Sequence, residues 1–441
     1  MISKFINKAL ESSLVQRIMK GAGWNLIATF LARGVPLIAM IEVARIIDKT
    51  SYGELGAVTG TVGMFGVLAA AGMGITAAKH VAEFRNSNKE CTGRIICMST
   101  VTSTTVGVIL GLFLFFAADW MASHVLGEPH LAEGLRVGAF ILILTALQAA
   151  QTGVLIGFEA FKLMSMANVI LGILTFSFVV YGATVGHLYG TLIGFLGAGI
   201  AGVIINTFAI RKVMAAESVP FRMNMTPSEW HILRHFSLPS LAGALMFAPV
   251  HWLSMTMLIN QPEGFSEMAV FTAANKWFAL LLFLPGVITN TLMPIFSGLV
   301  NDGDYVKLKE SLKTGAGMIA LIILPMSVVI IIASPLIMKL YGPAYSDGWP
   351  VFVAIVLAAV SAGVVNLLTN LLAAFNRMWV RLISDIAWAA IYILGTYYLL
   401  QLGYGALGLA VAMFMAFMVK TIIVLIILVH HMNTKLPIQT D

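Results

Sequence analysis

Residues 314–340 read TGAGMIALIILPMSVVIIIASPLIMKL, and Lys339 is the only charged side chain among them. A hydrocarbon core about 30 Å thick needs about 20 apolar residues of helix, so this stretch can cross a bilayer once. The whole chain shares this character, since 59% of its 441 residues are apolar and 10% are charged. Soluble domains carry roughly 25% charged residues. The sequence therefore predicts an all-α integral membrane protein.

Eleven other stretches have a similar length and character, so we expect about twelve transmembrane helices. The twelve lie near residues 24–47, 54–78, 94–118, 135–158, 163–186, 188–210, 237–260, 268–296, 314–340, 350–374, 381–400 and 405–430. Ahead of them, residues 2–20 place apolar side chains near one face of a helix and basic ones around the remainder. This pattern favours an amphipathic helix on an anionic leaflet, with a frayed basic tail as the alternative.

Lysines and arginines are unevenly divided between the two sides of these spans. With the N-terminus in the cytoplasm, 19 of the 26 fall on the cytoplasmic side and four at the outer side. Cytoplasmic loops carry an excess of such residues, so we expect both termini in the cytoplasm. The net charge of +6 is scattered along the membrane edges, which argues against nucleic-acid binding.

The second half of the chain echoes the first at an offset of about 215 residues. Gly127 in VLGEPHLAEGLR corresponds to Gly342 in LYGPAYSDGWPV, and the order of spans and basic loops recurs. Two copies of six spans enter the membrane the same way up, related by an axis along its normal. We expect lobes at 1–217 and 218–441 around a central cleft, which is the architecture of an alternating-access transporter.

Several segments match motifs typical of enzymes, but the residues around them do not support an enzyme site. The segment GMGITA (72–77) matches a dinucleotide fingerprint but lies inside a span, where small residues serve close helix packing. The DGD at 302–304 has no soluble domain to hold a nucleotide, and His430 and His431 have no third metal ligand nearby. No GxxxxGK[ST] motif and no Ser/His/Asp set occurs. The sequence predicts a protein that is not an enzyme and has no cofactor or metal.

Three basic residues lie inside predicted spans: Arg33, Lys276 and Lys420. Each costs about 2.5–3.5 kcal/mol at the centre of a helix, so each should face a partner or a wet cavity. Acidic partners are few, chiefly Glu42 and Asp385. The surplus of positive charge predicts an anionic substrate, although Lys420 could instead extend to the cytoplasmic face.

The spans that open the second half carry prolines and aromatic residues. Helices interrupted by Pro239, Pro249, Pro285 and Pro294 are typical of spans that bend during a transport cycle. Beside them lie His251, Trp252 and Trp277. The tryptophans could stack on sugars or pack in the protein, and His251 could be a hydrogen-bonded core residue or a proton site.

Four segments resemble polysaccharide flippases of the O-antigen (Wzx) type. They are ARIIDKTSYGELGAV (44–58), AAGMGITAAKHVAE (70–83), FTAANKWFALLLFLPGVITNTLMPIFSGL (271–299) and SPLIMKLYGPAYSDGWPV (334–351). The resemblance covers nearly the whole chain. These flippases belong to a superfamily that also contains lipid II flippases and multidrug antiporters.

The resemblance implies a multi-pass protein of the bacterial inner membrane that flips an undecaprenyl-pyrophosphate-linked glycan. It implies a cationic central cavity lined largely by spans 1, 2, 7 and 8, two of which carry Arg33 and Lys276. The candidate substrate-binding residues are Arg33, Lys276, Lys420, His251, Trp252 and Trp277. It also implies membrane lipids, a polysaccharide polymerase and chain-length proteins as partners. A multidrug antiporter is the alternative, followed by a membrane glycan polymerase, for which the outer loops are short.

Overall fold

The computed structural model describes residues 34–70, 72–220, 222 and 238–435. These residues form helices and turns, and no strand occurs among them, which confirms the all-α class. The first helices are α1 (34–46), α2 (Lys49–Ala70), α3 (Met73–Phe84), α4 (Lys89–His124), α5 (Leu131–Gly157) and α6 (Phe161–Ala216). Then come α7 (Leu238–Ile259), α8 (Gly264–Leu281), α9 (Phe283–Asn301), α10 (Tyr305–Leu340), α11 (Trp349–Ala374), α12 (Met378–Gln401) and α13 (Gly405–Lys435), with a 3₁₀ turn at Pro343–Gly348 before α11. The predicted amphipathic helix at 2–20 lies outside the described residues.

Nine helical segments of the described chain are long and apolar enough to cross a membrane. One of them, α6, has 56 residues and would be about 84 Å long if straight, which is more than twice the hydrocarbon thickness. Its helical geometry breaks at Gly186 and His187, where the sequence predicts one span to end and the next to begin. The total of twelve spans stays a prediction.

Proline explains a second break in the helices. The sequence predicts a single span at 268–296. In the structure, Gly264–Asn301 is one apolar segment long enough to cross a membrane, divided at Leu282 into α8 and α9. Pro285 has no N–H to donate to the carbonyl of Leu281, and its ring crowds that carbonyl. The helical hydrogen bonding is therefore interrupted there, as the position of the proline predicts.

Within the described residues the chain forms two compact units. The described residues of unit 1 fall within Met1–Val43, Phe65–Ala117 and Glu133–Leu241, and those of unit 2 within Ala44–Met64, Ala118–Ala132 and Ala242–Asp441. Unit 2 thus includes two segments from the first half of the chain. The lobes at 1–217 and 218–441 stay a prediction.

Local turns recur in the two halves of the chain. Gly127 and Gly342 both have a positive φ, of 75° and 129°, which explains why glycine occupies both positions. The turns after α5 and α11 each place one residue in the left-handed region, Glu159 and Asn376. These two residues are 217 positions apart rather than 215, so the offset drifts slightly along the chain.

Two of the enzyme-like motifs have structural roles. Gly74 of GMGITA packs in unit 1 against Gly153 of α5 and the backbone near it, which confirms close helix packing. Asp304 of DGD caps α10, because its side chain accepts a hydrogen bond from the Lys307 backbone N–H. Its carboxylate also pairs with the Lys307 ammonium at 2.7 Å. Hydrogen bonding to Lys307 holds the pKa of the Asp304 carboxyl below its ordinary value.

Helix α11 forms the interior of unit 2, and α10 forms part of its apolar outside. In the most apolar part of α11, 72% of residues are buried, against 17% in α10. Large side chains such as Leu321 and Ile332 of α10 are about three-quarters exposed. Such an exposed apolar surface suits contact with lipid.

Candidate substrate-binding site around Lys276

Lys276 lies in α8 and belongs to unit 2. Its side chain is half-buried, and among the described residues its ammonium has no hydrogen-bond or ion-pair partner. A buried charge without a partner is costly, and intramembrane charges of this kind mark substrate or ion pathways. Lys276 is therefore the centre of the candidate site.

Helix α2 packs closely on α8 because glycines line its contacting face. Gly53 lies against the backbone of Phe265, and Gly56 lies directly against the side chain of Thr272. A third glycine, Gly60, contacts Met255 of α7. Glycine permits this approach since any side chain at these positions would collide with the neighbouring helix.

The close packing does not continue along α2. A side chain added at Gly63 would meet no atom within 4 Å. Lys276 follows Thr272 by four residues, so it lies one turn further along the same side of α8. The lysine is thus placed just beyond the tight contact between α2 and α8.

Trp252 anchors α7 to α2 in the same region. Its indole N–H donates to Thr61 Oγ1 at 3.0 Å, and the Thr61 hydroxyl donates to the carbonyl of Ala57 at 2.9 Å. The indole is half-buried, so one part of the ring stays uncovered. The structure therefore brings Trp252 and Lys276 onto two helices that both pack against α2.

Trp277 has a different neighbourhood from Lys276 although the two are adjacent in sequence. Its indole N–H donates to the Tyr341 hydroxyl at 3.1 Å, and that hydroxyl donates to the carbonyl of Ala273 at 3.2 Å. Its ring also packs edge-on against Phe352. These contacts fix the turn of α8 that carries Lys276, which is a positioning role.

His251 is held by hydrogen bonds inside unit 2. Its Nδ1 lies 3.0 Å from the Tyr392 hydroxyl, and its Nε2 lies 3.5 Å from the amide nitrogen of Asn275. The imidazole also stacks on Phe247 with an interplanar angle of 15°. These contacts are those of the hydrogen-bonded core histidine considered from the sequence.

Lys420 has an acidic partner. Its ammonium lies 2.6 Å from Asp385 Oδ1, and the two side chains are 14% and 19% exposed. This ion pair joins α13 to α12 and neutralises the lysine without any substrate. Arg33, the remaining candidate, lies outside the described residues.

Two polar features of unit 2 have no signal in the sequence. The buried carboxylate of Glu54 lies 3.0 Å from His130 Nε2, although 76 positions separate the two residues. The hydroxyl of Thr272 is buried beside Gly56 with no hydrogen-bond partner among the described residues. No local pattern signals either feature, since each depends on a contact between segments that are far apart in the sequence.

The described part of the chain holds no cluster of three or more His, Cys, Asp or Glu side chains that could bind a metal ion. In unit 2, the carboxylates of Glu54, Glu267 and Asp385 already accept hydrogen bonds or ion pairs from His130, the Ala406 N–H and Lys420. The Lys276 ammonium is not compensated in this way. The site is therefore suited to an anion.

A family model described as "Polysaccharide biosynthesis protein" matches residues 43–350, well over half of the chain. The chain belongs to this family. Family membership confirms the resemblance to polysaccharide flippases that the sequence motifs carry.

Two curated relatives carry the name "EPS I polysaccharide export inner membrane protein EpsE". The one from Ralstonia nicotianae (strain ATCC BAA-1114 / GMI1000) is 23% identical over 393 residues, and the one from Ralstonia solanacearum is 21% identical over 393 residues. Each alignment covers 88% of this chain and 88% of the relative.

Solved transporter structures share the fold. An inward-facing multidrug resistance MATE family transporter of the MOP superfamily aligns with a TM-score of 0.76 at 14% identity, covering 93% of this chain and 98% of that one. The lipid II flippase MurJ, in an inward closed conformation, aligns with a TM-score of 0.71 at 14% identity, covering 93% of this chain and 89% of that one. At this level of identity the likeness shows that this member of the family has the MATE and MurJ fold.

Proposed function

We propose that this protein moves an undecaprenyl-pyrophosphate-linked oligosaccharide from the inner to the outer leaflet of the bacterial inner membrane. Membership of the polysaccharide biosynthesis family and the export function named for its relatives support this function. The observation that carries it is the uncompensated ammonium of Lys276 in α8.

The substrate's chemistry fits this charge. A pyrophosphate cannot cross about 30 Å of hydrocarbon without compensation, because an isolated charge there is costly. An ammonium is a compact point charge with three donors, so Lys276 can follow phosphate oxygens through more than one geometry. Arg33 would add a two-pronged contact, and Trp252 would stack on a sugar, while Trp277 holds the turn of α8 that carries Lys276.

Multidrug transport is the alternative, because MATE transporters share the fold. A site for cationic drugs needs uncompensated carboxylates, whereas Glu54 and Asp385 of unit 2 are paired with His130 and Lys420. The free charge at Lys276 has the wrong sign for a cation. The described residues therefore favour an anionic substrate.

We also propose that both termini lie in the cytoplasm and that the protein works by alternating access. The excess of Lys and Arg in alternate loops supports cytoplasmic termini. Two six-helix lobes would expose the site first to one side of the membrane and then to the other, and Lys276 would hold the pyrophosphate in both states. Delivery to a polysaccharide polymerase and chain-length proteins would follow on the outer face.

Deletion of the gene in its native host tests this function. We expect lipid-linked glycan to accumulate on the inner face of the membrane and surface polysaccharide to disappear, with both restored by the wild-type gene. Drug susceptibility should not change. Normal appearance of lipid-linked glycan on the outer face of the deletion strain would overturn the proposal, and increased drug susceptibility alone would favour the antiporter.

A further inference from the structure

Threonines inside the helices of unit 2 usually bond to their own helix. The hydroxyl groups of Thr61, Thr289 and Thr369 each donate to the carbonyl four residues earlier, at 2.8–2.9 Å. This bond satisfies the hydroxyl without any external partner, which is the common arrangement for threonine in a helix.

Thr272 departs from that arrangement. Its side chain is 7% exposed, and its Oγ1 is buried without a hydrogen-bond partner among the described residues. The hydroxyl lies directly against Gly56 of α2 rather than on the carbonyl of its own helix. An unpaired buried hydroxyl is unfavourable, so its presence needs a reason.

Lys276 provides that reason. It follows Thr272 by one helical turn on the same side of α8, and its ammonium also lacks a partner among the described residues. Both groups are hydrogen-bond donors, one charged and one neutral. An anion with several acceptor oxygens, such as a pyrophosphate, would satisfy both together.

Access to Thr272 is controlled by α2. The covering residue is a glycine, and Gly53 and Gly60 continue the same smooth face. No side chain of α2 at these positions interlocks with α8, so a small separation of the two helices would uncover the hydroxyl.

We propose that Thr272 is a second phosphate-binding residue, which donates a hydrogen bond to the pyrophosphate when α2 separates from α8 at Gly56. This inference rests on the proposed function, because it takes Lys276 to hold the same anion. In the packed state that the structure describes, Thr272 is covered and the site is incomplete.

The test compares three substitutions of Thr272 in the full-length protein. Thr272→Val keeps the shape and removes the hydroxyl, Thr272→Ser keeps the hydroxyl and removes the methyl group, and Thr272→Ala removes both. Glycan export in the deletion strain and binding of inorganic pyrophosphate to the purified protein are measured for each, together with the melting temperature.

A binding role for the hydroxyl predicts a specific pattern. Thr272→Val and Thr272→Ala should bind pyrophosphate about tenfold more weakly, as expected for one lost hydrogen bond to a charged acceptor, while Thr272→Ser stays near wild type. Thr272→Val should melt at the same temperature as wild type or higher, because an unsatisfied buried hydroxyl is gone.

Thr289→Val is the matched control. Thr289 is 3% exposed, and its hydroxyl is satisfied by the Pro285 carbonyl, so its loss should lower the melting temperature and leave pyrophosphate binding unchanged.

If Thr272→Val binds and exports normally while Lys276→Gln does not, the inference is wrong and the proposed function stands. If neither substitution affects binding or export, both are wrong. If Thr272→Val does not fold, equal losses in Thr272→Ser and Thr272→Ala would overturn the role of the hydroxyl.

Discussion

The ammonium of Lys420 lies 2.6 Å from the carboxylate of Asp385, so one intramembrane lysine of unit 2 is paired while Lys276 is not. Removing one partner of a mostly buried ion pair leaves the other charge without compensation. Removing both partners leaves no such charge. Substitution of Lys420 should therefore destabilise the fold, whereas substitution of Lys276 should leave the protein folded and impair glycan transport.

We predict that Lys420→Met and Asp385→Leu each lower the free energy of unfolding by about 3 kcal/mol. The double variant should recover most of that loss and should still export glycan. Thermal unfolding of the four proteins in detergent measures the coupling. A stable double variant that exports no glycan would show instead that Lys420 contacts the substrate, as the sequence alone suggested.

The glycine face of α2 gives a second prediction. Gly56→Ala would place a methyl group on Thr272 Oγ1, and Gly53→Ala would place one on the Phe265 carbonyl. We expect both variants to melt at lower temperature, with Gly53→Ala the worse because a backbone carbonyl cannot move aside as easily as a side chain.

Gly63→Ala serves as the control for these two variants. The added methyl group meets no atom within 4 Å, and alanine favours a helix over glycine by about 1 kcal/mol. This variant should therefore melt at the same temperature or higher. Equal destabilisation at positions 56 and 63 would contradict the close packing of α2 on α8.

Orientation in the membrane can be tested by cysteine labelling. In a variant without the two native cysteines, an impermeant maleimide added to intact cells should label cysteines introduced for Glu128 and Asp347. It should not reach those introduced for Ser87 and Arg377 until the cells are opened. Labelling of the second pair in intact cells would contradict the predicted topology.

Apolar length and proline position make much of this fold predictable from sequence. The break at Gly186 and His187 within α6 falls between two spans that the apolar pattern separates. Pro285 marks the interruption between α8 and α9, although the sequence alone did not place its boundary at Leu282. These features depend on local chemistry and can be recognised in a short window.

The candidate site is less predictable because it depends on how helices are rotated against each other. Lys276 stands out in the sequence because an intramembrane charge is rare. The pairing of Lys420 with Asp385, 35 positions away, and the unpaired hydroxyl of Thr272 follow from contacts between helices, which no local pattern encodes. Trp277 illustrates the same limit, since its contacts with Tyr341 make it a support for the site.

The most direct test of the central claim is glycan flipping by Lys276 variants reconstituted in vesicles with undecaprenyl-pyrophosphate-linked glycan. Lys276→Gln and Lys276→Glu should lose at least about tenfold in rate while remaining folded and inserted, since the pyrophosphate loses its counter-charge. Lys276→Arg should keep part of the activity, and Lys339→Gln, which removes an exposed lysine, should behave as wild type. Normal flipping by Lys276→Glu would contradict the claim that Lys276 binds the pyrophosphate.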